Sequence, residues 1–186
     1  MSRLRRALPA VLAAAVIAVV VAAASPPARA ASGGPVVAVG DSVMLGASPQ
    51  LRKALSPGAV IDAAVSRQFT EGAAVLRGRL RTAPRNAIVV IHLGDNGYIP
   101  FRPFERLMRD LSGRPKVVLV TVRVRAAWQD SVNDALRYAA RHHRNAVIAD
   151  WHAASGGRGI LVDGTHTTPK GARIYARTIA RAVRSG

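Results

Sequence analysis

A chain of 186 residues, 49% of them hydrophobic, has room for one domain with a sizeable core and not for two. It contains no cysteine, which excludes a disulfide framework, a thiolate zinc site and a cysteine nucleophile. Lys and Arg number 27 against 10 Asp and Glu, a formal charge of +17 that favours anionic surfaces; the cations are nevertheless scattered and Arg outnumbers Lys 24 to 3, a bias that a GC-rich genome also produces.

Residues 1–30 carry the marks of an export signal. Arg3, Arg5 and Arg6 form a basic start, Leu8 to Ala24 is an apolar run, and Ala28-Arg29-Ala30 is a small-x-small cleavage site. The competing reading is an uncleaved membrane anchor, since about 17 apolar residues is the lower limit for crossing a bilayer. The expected organisation is a signal over 1–30, a short leader over 31–34 and one domain over 35–186, secreted or extracytoplasmic. Without the signal, 23 basic and 10 acidic side chains remain, a net +13.

The remaining chain alternates short apolar runs with longer amphipathic ones. Strands are predicted over Pro35–Val39, Ala59–Asp62, Ala87–Leu93, Lys116–Val122 and Ala146–Asp150, each apolar along its length as buried parallel strands are. Helices are predicted over Ala47–Leu55, Thr70–Thr82, Phe101–Leu111, Gln129–Arg144 and Pro169–Val183. Strand then helix, five times over, predicts a five-stranded parallel sheet covered on both faces, a three-layer α/β/α sandwich of flavodoxin-like winding. Ligands of such sheets bind at the carboxyl ends of the strands.

Three motifs fall at those ends. Gly40-Asp41-Ser42 follows the first strand, so Ser42 stands at a helix entrance, where free N–H groups favour developing negative charge; the plain alternative is a helix cap, with Asp41 a second capping candidate. His92-Leu-Gly94-Asp95-Asn96-Gly97 follows the third. Asn96 is placed to aim an amide into the crevice, although Asp-Asn-Gly is also an ordinary turn, and His92 reads as a packed strand-end histidine. Asp163-Gly-Thr-His166 precedes Thr168-Pro169, an N-cap and first helical position. A serine hydroxyl needs an imidazole to take its proton and a carboxylate to orient that imidazole, and Ser42, His166 and Asp163 supply all three.

Together these blocks resemble the SGNH, or GDSL, hydrolase superfamily over essentially all of the chain from Val36 to the last helix. The resemblance implies the SGNH hydrolase fold, with Ser42 as nucleophile, His166 as base, Asp163 as its orienter, and an oxyanion hole built from Ser42, Ser66 and Asn96. Block two of the family usually contributes a glycine N–H; Asp62-Ala-Ala-Val-Ser66-Arg67-Gln68 has no glycine, and Ser66 stands as its equivalent. Many esterases of the superfamily follow Gly-x-Asn with Asp, where this chain has Gly97. Val-Ser66-Arg67-Gln68 and the later Asp-Gly-x-His-x-Thr-Pro-Lys-Gly-Ala are similar to the extracytoplasmic domain of peptidoglycan O-acetyltransferases, which hangs from a multi-helix membrane module that this sequence does not contain.

The expected activity is thus serine-dependent hydrolysis of O-acetyl or other short acyl esters on cell-wall or extracellular glycan. Acyl transfer to a glycan hydroxyl is the alternative. Arg67, Gln68, Tyr98, Phe101 and Trp128 are candidates for lining the acceptor groove. No cofactor and no metal are expected: His142 and His143 are adjacent on a helix, face different directions and have no carboxylate cluster. The expected partners are an acylated carbohydrate or small ester and an anionic cell-wall surface; the chain should be a monomer that needs no stable membrane partner. A non-catalytic basic binder of anionic polymer is the rival from another class, against which stands the lack of any nucleic-acid module, so nucleic acid is not an expected partner.

Overall fold

The computed structural model describes residues 34–185. The signal expected over 1–30 and all but the end of the leader lie outside the described residues. Eleven elements follow in the order β1 Val36–Gly40, α1 Ser42–Ala54, β2 Val60–Ala63, α2 Phe69–Leu80, β3 Ile88–His92, α3 Phe101–Asp110, β4 Val117–Val120, α4 Gln129–His142, β5 Ala146–Ala149, α5 Trp151–Ala154 and α6 Pro169–Arg184. All strand pairings are parallel and their order is β2-β1-β3-β4-β5. This is the flavodoxin-like winding, whose direction reverses between β1 and β3.

The alternation of side chains along β1 divides the core in two. Val36 and Ala38 face α1 and α6, packing with Met44, Leu51, Tyr175 and Ile179. Val37 and Val39 face the other way, onto Phe69, Leu76, Phe104, Leu107 and Leu136 of α2, α3 and α4. Both faces of the central strands are therefore dry, and β1, β3 and β4 are buried at every position. The edges differ: Val60 on β2 is exposed, and β5 is only partly buried.

The helix after β1 begins at Ser42, five residues before the sequence-based start, and continues through Pro49. Asp41 caps it, accepting from the Val43 amide at 3.1 Å. Gly46, Ser48 and Pro49 weaken the local helical signal, and burial of Val43, Met44 and Ala47 against α6 overrides it. The single turn α5, where the sequence pattern predicts no element, is held by Asp150. That carboxylate accepts from the Ala153 amide and the Thr121 hydroxyl. Among the described residues, no helix is long and apolar enough to cross a membrane.

Candidate active site

The register of the sheet brings three loops level. Gly40 pairs with Ala63 on one side and His92 on the other, so the segments carrying Ser42, Ser66 and Asn96 leave neighbouring strands at the same height. The reversal of direction between β1 and β3 opens the crevice there. Gly40 itself is confined by Met44, whose side chain lies 2.5 Å from where a Cβ would stand.

Ser42 is the first residue of α1 and Asp41 its cap, so the hydroxyl sits where the helix N-terminus favours negative charge. Its Oγ lies 3.0 Å from His166 Nε2. On the far side of the ring, Nδ1 is 2.7 Å from Asp163 Oδ2. This geometry assigns the proton of the neutral imidazole to Nδ1, donated to Asp163, and leaves Nε2 to accept from Ser42. The three side chains form one hydrogen-bonded chain, at the surface: His166 is 51% and Asp163 54% exposed.

The loop carrying Asp163 and His166 is stiff. Asp163 Oδ1 accepts from the Thr165 and His166 amides at 2.9 and 2.8 Å, so the orienting carboxylate also shapes the turn. Leu161 and Thr167 form an antiparallel bridge across its base, and the Val162 amide donates to His166 O at 2.8 Å. Gly164 has φ +92°, and Arg125 lies so close that a Cβ there would meet its Nε at 2.6 Å. Foremost among the forces on Asp163 is the hydrogen bond from His166, then the two amides; together they hold its carboxyl well below the ordinary range. It is therefore ionised, as an orienter of imidazole must be.

Ser66 has φ +58°, alone among described non-glycine residues in the left-handed region. That backbone conformation is the one glycine favours, which matches its alignment with a glycine of block two. The next residue behaves otherwise than predicted. Arg67 is not part of the groove: its guanidinium is buried, donating to Gly40 O at 3.1 Å, Asp62 O at 2.8 Å and Asp62 Oδ1 at 2.9 Å. Burial works to raise the Asp62 carboxyl, but hydrogen bonds from Arg79 and Arg67 outweigh it and hold it below its usual value. A charged side chain one residue from a candidate donor thus ties β2 to the end of β1. Sequence shows the charge and not the carbonyl that consumes it.

Asn96 lies beside this corner. Its Nδ2 approaches Arg67 O at 3.4 Å, while the exposed Gln68 donates from Nε2 to Asn96 O at 2.8 Å. Tyr98, 61% exposed, leans on Trp128 with ring centroids 6.1 Å apart, and Trp128 Nε1 donates to Gly94 O. These two rings stand on the loops after β3 and β4. Phe101, on α3, instead contacts Tyr138 of α4 with ring centroids 5.8 Å apart. A polar cavity of about 570 Å³ adjoins the Asp163–His166 loop, lined in part by Arg123, Arg125, Gln129, Gly156, Val162 and Gly164.

Beneath the surface chain lies a second group that sequence reasoning did not assemble. Asp41, His92 and Asp95 are fully buried, and one atom of each lies within 4.8 Å of the others. His92 Nε2 is 3.3 Å from Asp95 Oδ2, and the Tyr175 hydroxyl of α6 is 2.8 Å from His92 Nδ1. Burial lowers the His92 imidazole, opposed by the Asp41 charge. Burial raises the Asp95 carboxyl well above the usual carboxylate range, and Asp41 adds to the rise by its charge and by a hydrogen bond. One signal was available: an aspartate stands directly before Ser42 and another directly before Asn96, at the ends of strands that the winding makes neighbours.

No family model matches the chain. Over 152 residues it is 36% identical to a Bacillus subtilis protein provisionally named a peptidoglycan O-acetyltransferase, covering 81% of this chain and 24% of that protein. It is 34% identical over 141 residues to the peptidoglycan O-acetyltransferase OatA of Listeria monocytogenes, covering 75% of this chain and 22% of the relative. The chain therefore spans about a quarter of the length of these curated relatives. Among solved structures, the C-terminal catalytic domain of Streptococcus pneumoniae peptidoglycan O-acetyltransferase A, bearing a methylsulfonyl adduct, superposes with a TM-score of 0.69. It is 28% identical, and the match covers 81% of this chain and 93% of that one. A family 3 carbohydrate esterase of Clostridium thermocellum, 14% identical with a TM-score of 0.61 over 82% of this chain and 99% of its own, shares the fold.

Proposed function

The chain belongs to the SGNH, or GDSL, hydrolase superfamily and is an SGNH-type enzyme, and from that premise we propose that it is an exported serine esterase for short acyl esters of cell-wall or extracellular glycan. The observation that carries this reading is the continuous chain from Ser42 through His166 to Asp163. Ser42 Oγ attacks the ester carbonyl carbon as its proton passes to His166 Nε2, and Asp163 steadies the imidazolium. The negative charge that develops on the carbonyl oxygen is met by the Ser42 and Ser66 amides and the Asn96 side chain. Collapse breaks the ester bond, the departing sugar oxygen takes the proton from His166 and leaves as a hydroxyl, and the acyl group remains on Ser42. Water then gives up a proton to His166 and attacks, and His166 returns that proton to Ser42 Oγ as the acid is released.

A half-exposed His166 and Asp163 favour water as the second acceptor. Acetyl transfer to a glycan hydroxyl is the second reading, favoured by the names of the relatives. It uses the same steps with a sugar hydroxyl in place of water. The cavity beside the Asp163–His166 loop, together with Tyr98 and Trp128, offers a place for the sugar. Export rests on the basic and apolar run at the N-terminus, and the net +13 of the chain beyond it suits retention on an anionic wall.

The test is incubation of the chain from residue 31 onward with p-nitrophenyl acetate, with and without chitooligosaccharides, followed by mass analysis. Acetate as the sole acyl product supports the esterase; acetylated oligosaccharide that needs Ser42 supports the transferase. Absence of nitrophenol release above the Ser42→Ala background overturns both.

A further inference from the structure

The buried group of Asp41, His92, Asp95 and Tyr175 contains polar atoms that ordinary protonation leaves unmatched. Asp41 Oδ2, His92 Nε2 and both oxygens of Asp95 have no hydrogen-bond partner of good geometry when both carboxyls are taken as acceptors. Two carboxylates side by side in a dry interior repel, and neither donates. One added proton between the carboxyls matches Asp41 Oδ2 with an oxygen of Asp95. With Tyr175 donating to His92 Nδ1, the neutral ring carries its hydrogen on Nε2, which lies 3.3 Å from Asp95 Oδ2 without the alignment of a hydrogen bond. A proton between the two carboxyls then pairs one Asp95 oxygen with Asp41 Oδ2, while Asp41 Oδ1 keeps the Val43 amide. Asp41 already accepts from that amide, whereas neither oxygen of Asp95 accepts from a donor of good geometry, so the proton belongs on Asp95.

We propose that Asp95 is a protonated acid donating to the Asp41 carboxylate, and that this buried pair is a positioning latch across the β1–β3 reversal. It joins the residue before the nucleophile to the residue before Asn96, fixing the oxyanion donor relative to the serine. The proposal rests on the reading of Ser42 and Asn96 given above.

The groups facing Asp95 come from four elements. They are Asp41 at the β1–α1 turn, His92 of β3, Tyr175 of α6 and the Arg123 backbone amide after β4. Arg67, from the β2–α2 loop, is committed to Gly40 O and Asp62 and so leaves the pair uncompensated. The raised Asp95 carboxyl, due first to burial and then to Asp41, agrees with a retained proton. Its sign has a consequence for stability. Above the unfolded aspartate value of about 3.9, the native state keeps a proton that the unfolded chain has lost, so this group makes stability fall as pH rises.

Asp95→Asn tests the latch, because an amide retains a donor in the same shape and cannot ionise; Asp95→Ala removes the donor. Infrared difference spectra of the wild-type protein against Asp95→Asn at neutral pH should contain the carbonyl stretch of a protonated carboxylic acid. Its absence overturns the shared proton, as does a stoichiometric divalent metal ion in the purified protein. The stability of Asp95→Asn relative to wild type should rise with pH from about 4 upward, and a flat difference also counts against the proposal. For positioning, kcat should fall about 10-fold or more in Asp95→Ala with KM little changed and recover in Asp95→Asn. Equal loss in both variants, with folding intact by circular dichroism, overturns the positioning role. If Ser42→Ala stays active while the acid band is present, the functional reading fails and the shared proton stands.

Discussion

The molecule contains two aspartate–histidine couples at the same sequence separation, and their surroundings give them opposite character. His92 and Asp95 have 0% and 2% of their side chains exposed, while His166 and Asp163 have 51% and 54%. At the surface, solvent and two backbone amides sustain the Asp163 anion and its carboxyl is held down. In the core, burial and a second carboxyl drive Asp95 up. The two consequently respond to pH with opposite sign. The contribution of Asp163 is present above the unfolded aspartate value and lost as acid protonates it, whereas Asp95 favours the folded state toward lower pH. Residue identity and spacing alone do not say which couple moves protons during a reaction and which holds a frame.

The division predicts that changes at the exposed couple cost rate, and that changes near the buried one cost geometry as well. The largest expected effect is Ser42→Ala, which leaves the exposed couple without a client. Turnover of p-nitrophenyl acetate should fall about 10⁴-fold or more, to what binding and the oxyanion donors alone supply, with an unchanged melting temperature. Near-normal turnover would end the triad assignment. Next comes Asp163→Asn, in which the amide oxygen can still accept from Thr165 and His166, so the turn persists while the imidazole loses its anion. We expect kcat to fall about 10²- to 10⁴-fold, with solvent at this exposed position limiting the loss. A drop in melting temperature with little change in kcat would make Asp163 a loop-former only.

Much of the fold and of the exposed site is legible in the sequence, because both depend on local patterns. Five apolar runs separated by amphipathic stretches give the parallel sheet, and Thr168-Pro169 marks the start of α6 to the residue. Ser42, Asn96 and Asp163–His166 stand out as candidates because each lies just beyond a predicted strand or before a predicted helix. The errors share a different cause. Arg67 looks like a surface cation until the carbonyl of Gly40, 27 residues away, is seen to accept from it. Likewise α1 reads as starting late until α6, more than a hundred residues on, supplies the apolar surface that stabilises its first turn. Asp41 and Tyr175 join the local His92–Asp95 couple only through long-range packing. Partners distant in sequence leave no periodic trace.

Asn96 joins the two regions, since it is the donor that the buried pair would hold in place. If it serves the oxyanion, Asn96→Ala should lower kcat about 10²- to 10³-fold with KM nearly constant. A turn residue behaves otherwise: the melting temperature falls modestly, by about 1 kcal/mol or less of stability, and kcat stays. Steady-state kinetics beside a thermal melt separates the outcomes. The first sharpens the contrast, because the exposed couple then serves the nucleophile while the buried pair positions the oxyanion donor.

The smallest effect is expected at Ser66, where the donor is backbone and the side chain is incidental. Its φ of +58° costs an L-residue about 1–2 kcal/mol, a strain that glycine does not carry. Ser66→Gly removes that strain, but gives the unfolded chain more freedom, worth about 0.4–1 kcal/mol in the other direction. The two nearly cancel, so stability should change by about 1 kcal/mol or less and kcat should stay within about 2-fold, the amide being retained in place. A β-branched residue is the informative contrast. Ser66→Val cannot sit easily at positive φ, so the loop must turn, carrying the amide away from the carbonyl oxygen. Its kcat should fall toward the level of losing one oxyanion donor, about 10²-fold. Equal kcat in the glycine and valine variants would show that this amide does not face the reacting carbonyl, and the hole would then consist of Ser42 and Asn96 alone.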